Sequence, residues 1–150
     1  MHVEATPEQV WEVVSDVTRY GELSPECTGG RWTGGASGPA VGATFLGTNR
    51  HGPVRWSTHC RVVAAEPGQH FSFRVTESAM RWGYRLAPGA AGGTDVTEYR
   101  LKLVPSPWYT RVIALSGVLG RNREDSMREG MRRSLAALAR TVERRADART

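Results

Sequence analysis

With 150 residues and 39% hydrophobic content, the chain reads as one globular domain over 1–150, its last residues (145–150) frayed. Its longest apolar run, Val112 to Gly120, is too short for a membrane-spanning helix, and the N-terminus lacks the basic-then-apolar layout of a signal peptide. The net charge of +5 is local: residues 121–150 hold nine arginines against five acids, while residues 1–120 are nearly balanced, which argues against nucleic acid as a partner.

In chain order, the residues before Thr6 allow only a short strand. Thr6, Pro7 and Gln9 then form a helix start, with Thr6 as cap, proline at the first helical position and Gln9 completing a capping box. Val10, Val13 and Val14 make its apolar stripe, with Trp11 beside it. A second short helix is predicted at Thr18 to Leu23, ended by Ser24-Pro25. From Cys27 the chain turns glycine-rich, which marks turns and bulges between short strands. Four longer runs follow at hairpin spacing: Val54–Ala64, His70–Thr76, Arg81–Leu86 and Asp95–Val104. Their linkers carry the proline and glycine of tight reversals, so they read as an antiparallel meander. Pro107 closes the sheet, and residues 108–120 are a short apolar piece that reads as a lid or as a homodimer contact. Met127, Met131, Leu135, Leu138 and Val142 then mark one face of a long helix, with Glu124, Arg128, Arg132 and Arg140 largely on the other.

The stretch Asn49 to Val63 holds two histidines, a cysteine and three arginines around Trp56, which raises the question of a metal site. Alternation places Val54, Trp56, Thr58, Cys60 and Val62 on one face and Arg55, Ser57, His59 and Arg61 on the other. His59 and Cys60 therefore point to opposite sides and do not converge on one ion. No metal or cofactor is expected. Cys27 and Cys60 fit no disulfide framework and read as free thiols of a cytoplasmic protein.

The same alternation sends Phe71, Phe73 and Val75 inward, with His70, Ser72 and Arg74 outward. Trp82, Tyr84 and Leu86 go inward, with Arg81 and Arg85 outward. Inward aromatics facing Met127 and Met131 are either plain core or the lining of an apolar pocket with a few polar groups. Asn49 ends a strand-like run and is one such group. Glu98 is the other candidate. Tyr99, Leu101 and Leu103 form the larger apolar set on β-alternation, which favours an exposed Glu98; on Val96's face, were that face inward, Glu98 would be a carboxylate in an apolar cavity with a raised pKa.

The segments Ala5 to Trp11, Asn49-Arg50 with Trp56-Ser57-Thr58, Thr97-Glu98, and the closing Gly130 to Glu143 resemble the polyketide cyclase/dehydrase-like branch of the START/SRPBCC superfamily along nearly the whole chain. The resemblance implies an α+β helix-grip fold: a curved antiparallel sheet wrapped around a long C-terminal helix, with two short helices after the first strand. It also implies a deep cavity between sheet and helix that takes a hydrophobic small molecule, lipid-like or aromatic and polyketide-like. The expected lining is Asn49, Trp56, Thr58, Phe71, Phe73, Trp82, Tyr84, Met127 and Met131.

Two other readings stand beside this one. A polyketide cyclase or dehydratase needs a shaped pocket and one or two proton-moving groups: Glu98 or Tyr84 for the proton, Asn49 to orient a carbonyl, Arg50 to stabilise an enolate. A protein- or RNA-interaction module would instead use the arginine-rich C-terminal helix and bind with steep salt dependence. The superfamily has no universal catalytic set, so fold alone does not choose among these.

Overall fold

The computed structural model describes residues 1–24, 26–103 and 123–147, with side chains of the last segment described for 128–145. Its elements are β1 (His2–Val3), α1 (Pro7–Val14), a 3-10 helix (Val17–Glu22), β2 (Cys27–Thr33), β3 (Thr44–His51), β4 (Val54–Glu66), β5 (His70–Val75), β6 (Met80–Pro88), β7 (Thr94–Lys102) and α2 (Arg123–Asp147). The strands form one antiparallel, curved sheet in the order β1-β7-β6-β5-β4-β3-β2. β1 and β2 lie on opposite edges, so α1 and the 3-10 helix carry the chain across from one edge to the other. This is the helix-grip architecture.

Local chemistry explains the first helices. The Thr6 side chain accepts from the Gln9 N–H while Gln9 returns a bond to the Thr6 N–H, closing the capping box, and Pro7 opens the helix. Val10, Val13 and Val14 are its buried residues. The second helix is a tight 3-10 turn rather than an α-helix. Asp16 caps it by accepting from the Thr18 N–H, and buried Tyr20 donates to the Val14 carbonyl at 2.7 Å, tying it back to α1. β2 passes so near that a Cβ on Gly30 would stand 2.7 Å from the Val17 carbonyl oxygen, so no larger residue fits that crossing.

Alternation holds along β4 up to Val62. The pairing then shifts at a bulge between Val62 and Ala64, so Ala65, not Ala64, stands opposite Phe71. The core lies between the inner face of the sheet and the helices. Phe45, Val62, Phe71, Phe73, Leu86 and Val96 pack there with Leu138 and Val142 of α2, and Leu135 and Ala139 pack against the cluster. Arg128, Arg132 and Arg140 are exposed on the opposite side of α2. The Met127 and Glu124 side chains, and the lid or dimer contact expected at 108–120, fall outside the described residues.

Candidate functional site

Cross-strand register turns the inner face into rows. Ala65, Phe71, Tyr84 and Glu98 form one row across β4, β5, β6 and β7; Val62, Phe73, Trp82 and Arg100 form the next. Toward β2, Trp32, Phe45 and Cys60 line up, as do Cys27, Asn49 and Trp56.

Glu98 faces inward, on Val96's side. The size of the outer apolar set pointed the other way, and the structure explains why that set misleads. Tyr99 lies on the outer face because it is held there: its hydroxyl bonds His70 Nε2 at 2.7 Å, and the Arg85 guanidinium stacks 5.6 Å from its ring centre. Leu101 and Leu103 are 52% and 41% exposed.

Inside, the Tyr84 hydroxyl donates to Glu98 Oε1 at 3.3 Å. Glu98 Oε2 is buried and has no partner among the described residues. Burial pushes this carboxyl up to about 7, and only the bond from Tyr84 opposes the shift. Burial, with the Glu98 charge next, drives the Tyr84 phenol well above its ordinary value. The Cys60 thiol is pushed up to about 12 by burial, and Cys27 is raised for the same reason, so neither is a ready nucleophile.

The other predicted residues spread along the same face. Phe71 is fully buried and Phe73 nearly so. They belong to a ring cluster in which Phe45 and Phe73 meet edge to face at 5.1 Å and Tyr20 lies 5.9 Å from Phe73. Trp82 is half-buried against the core, and Met131 on α2 is half-buried. Asn49 is half-buried and donates to Thr58 Oγ1 at 3.4 Å. It sits on β3, four strands from β7, or about 19 Å along the sheet at ordinary strand spacing. Trp56, read as interior, is 40% exposed. It faces inward by register but stands only two residues from the β3–β4 turn, past the packed part of the core. Arg50 is exposed and donates to the Gly52 carbonyl, not into the interior. His59 is exposed and pairs with Glu77 at 2.7 Å, while Cys60 is buried on the other face.

Two surface hollows lie elsewhere. One of about 720 Å³ runs beside the 3-10 helix past Arg19, Glu22, Thr28 and Arg50. The other, about 390 Å³, opens between that helix and α2 at Leu23, Arg133 and Arg140. Both are open and edged by charged side chains. The Glu98 carboxyl is the stronger mark of a site, because its Oε2 is a buried polar atom without a partner among the described residues.

The sequence matches, over residues 1–146, the family described as polyketide cyclase / dehydrase and lipid transport. The chain belongs to this family. Among solved structures it is similar to the Polyketide_cyc-like protein Cgl2372 from Corynebacterium glutamicum, at 30% identity over 99% of this chain and 89% of that one, with a TM-score of 0.54. The KanY protein shares 16% identity over 95% of this chain and 93% of its own, with a TM-score of 0.68. The di-domain ARO/CYC StfQ of the steffimycin biosynthetic pathway shares 11% over 98% of this chain and half of its own length, with a TM-score of 0.69. The last two likenesses show the fold. No curated protein matches the chain. Among the described residues no helix is long and apolar enough to cross a membrane.

For a member of the polyketide cyclase/dehydrase family, the arrangement combines an aromatic wall with a near-neutral carboxyl at its β7 end. Sequence reasoning missed Tyr20, whose ring joins the inner cluster, because a residue in a short helix gives no alternation to read. It also missed Arg100, which lies opposite Trp82 on the inner face. The signal was present in the period of two along β7, but only once the side of Glu98 was known.

Proposed function

We propose that this chain binds a mostly apolar, aromatic or polyketide-like molecule between the concave sheet face and α2, with Glu98 and Tyr84 as the polar end of the site. One observation carries the reading: Glu98 Oε2 is buried without a partner among the described residues. Leaving such an atom unsatisfied costs about 1–3 kcal/mol, and a ligand carbonyl or hydroxyl brought against it removes that cost. In its neutral form the carboxyl donates to a carbonyl; ionised, it accepts from a hydroxyl. Family membership supports a ligand-binding or cyclase role in general terms, and a cytoplasmic setting suits the free thiols of Cys27 and Cys60.

The test is native mass spectrometry of protein purified from its own cells, followed by organic extraction. A discrete apolar adduct that weakens in Glu98→Gln supports the reading. A clean unliganded mass, with no tryptophan-fluorescence change across lipids and aromatic polyketides, removes it.

A second reading is favoured by the same carboxyl. A group titrating near 7 is matched to proton transfer at neutral pH, as cyclisation or dehydration of a poly-β-keto chain requires. In that reading Glu98 takes and returns the proton, Tyr84 holds its other oxygen, and Asn49 orients a carbonyl farther along the face. Unchanged turnover by Glu98→Gln on an authentic substrate contradicts it.

A further inference from the structure

Strand register sets like charges side by side on the outer face of the sheet. Arg61 of β4 stands directly opposite Arg74 of β5, and Arg74 directly opposite Arg81 of β6. Side chains paired in this way stand about 5 Å apart at Cβ, and like charges there destabilise a sheet. A second such pair, Arg50 and Arg55, links β3 to β4 on the same face. With Arg85, this puts every arginine of β3 to β6 on the outer face, whereas the only acid of those four strands is Glu66. Residues 1–120 are nearly balanced in charge because most of their acids lie before β2.

Among the described residues none of Arg61, Arg74 and Arg81 forms an ion pair. Arg61 donates to the Gly42 carbonyl at 3.3 Å, and Arg81 donates to the Ser72 hydroxyl at 3.2 and 2.9 Å. Both partners are uncharged, so these bonds aim the two guanidinium groups without cancelling their charge. Glu77, in the β5–β6 turn, is taken up by His59: it accepts from the His59 backbone N–H and meets Nδ1 at 2.7 Å. Arg61 and Arg74 are exposed and Arg81 is half-buried. The row then ends in apolar side chains. Leu101 stands directly opposite Arg81, and Leu103 follows one step on, its N–H bonded to the Ala79 carbonyl; both leucines are exposed.

We infer that this outer face docks on an anionic lipid bilayer, with Arg61, Arg74 and Arg81 against the phosphates and Leu101 and Leu103 at the boundary of headgroups and acyl chains. Such a surface supplies negative charge spread in two dimensions, which relieves the repulsion along the row, and an apolar layer beside it for the leucines. An acidic protein would match the arginines and leave the leucines without a role. A nucleic acid calls for aromatic rings interleaved with the cations, and the Tyr99 ring on this face is covered by Arg85. The arginines of α2 fit a bilayer less well, since Arg132 and Arg133 both pair with Glu129. The docking face lies on the side of the sheet away from the ligand site proposed above, and neither inference depends on the other.

The test is co-sedimentation of the full chain with vesicles of phosphatidylcholine alone and of phosphatidylcholine mixed with phosphatidylglycerol. Binding to the mixed vesicles is expected to exceed binding to the neutral ones by about tenfold or more and to weaken as salt is raised. Arg74→Gln should lower the partition coefficient about fivefold, the scale of one charge at an anionic surface, and the double substitution Arg61→Gln, Arg74→Gln by about twentyfold. Leu101→Ser should lower it about threefold or more. Arg74→Gln should also keep or raise the urea midpoint, because it removes a charge flanked by two like charges, and this reports that the variant is folded. The double substitution Arg132→Gln, Arg140→Gln on α2 should leave binding within about twofold of the wild type. Equal binding to both vesicle types, binding lost through the α2 substitutions while the outer-face ones keep it, or no vesicle binding at all overturns the inference. Salt-sensitive retention on polyglutamate without vesicle binding overturns it in favour of an acidic protein partner.

Discussion

Glu98 makes the folded protein favour a proton that the unfolded chain releases more readily. Its carboxyl rises from the ordinary 4.5 to about 7. Below pH 4.5 both states hold the proton and the group costs nothing. Between 4.5 and 7 the unfolded chain ionises first, so stability falls as pH rises; above 7 the loss is complete. Its full size is on the order of 3 kcal/mol. Glu98→Gln should therefore match the wild type near pH 4.5 and exceed it at pH 8 by up to about that amount, measured by urea unfolding at both pH values. Comparison with the variant at each pH cancels His2, which Asp95 raises, and His70, which burial lowers. On the outer face, Gly83 is tightly constrained. A Cβ there would stand 2.5 Å from the Tyr99 hydroxyl and 2.7 Å from the Ser72 Cβ. Gly83→Ala should break the His70–Tyr99 bond and cost about 1–3 kcal/mol in chemical denaturation. The side that Glu98 occupies was not legible in the sequence for this reason. β7 carries apolar residues on both faces, and what holds Tyr99 outside comes from β5 and β6, not from its own strand.

Elements whose signals are local were legible in the chain, whereas the bulge in β4 and the reach of the packed core along it, both set by distant contacts, were not. The capping box at Thr6 and Gln9 involves residues three apart, so the start of α1 was visible in the chain. Thr6→Ala should cost about 1 kcal/mol, seen as a lower urea midpoint at unchanged slope. The apolar stripe of α2 was equally plain, and Leu138 and Val142 are each 1% exposed. Leu138→Ala should cost about 2–5 kcal/mol, because the sheet on one side and α1 on the other cannot both close on the gap. The bulge after Val62 had no local signal: it is set by how β4 pairs with β5 across the turn at Pro67-Gly68. Trp56 was placed inside by alternation alone. Alternation reports which face a residue takes, not whether the packed core reaches that far along the strand.

At the scale of the molecule, the helix-grip fold was legible because two apolar surfaces, one on the sheet and one on α2, had only each other to cover them. The inner face so formed is graded. Phe71 and Phe73 fill its centre as core, Glu98 and Tyr84 bring a polar pair to the β7 side, and Trp82 and Trp56 extend the aromatic surface toward solvent. The charge of +5 lies largely on the C-terminal segment, where residues 121–150 hold nine arginines against five acids. The exposed arginines of α2 are partly matched within the helix, as where Arg133 bonds Glu129 at 3.2 Å, and they interleave with no aromatic side chain.

The central claim is that the inner face takes a ligand against Trp82 and within reach of Glu98. Its most direct test is titration of 2-naphthamide into ¹⁵N-labelled protein, following the indole N–H signals of the five tryptophans. The Trp82 signal should shift saturably, and Glu98→Gln should change the midpoint. Indole signals that stay fixed at saturating probe, or a saturable response that leaves Trp82 unmoved, would contradict it.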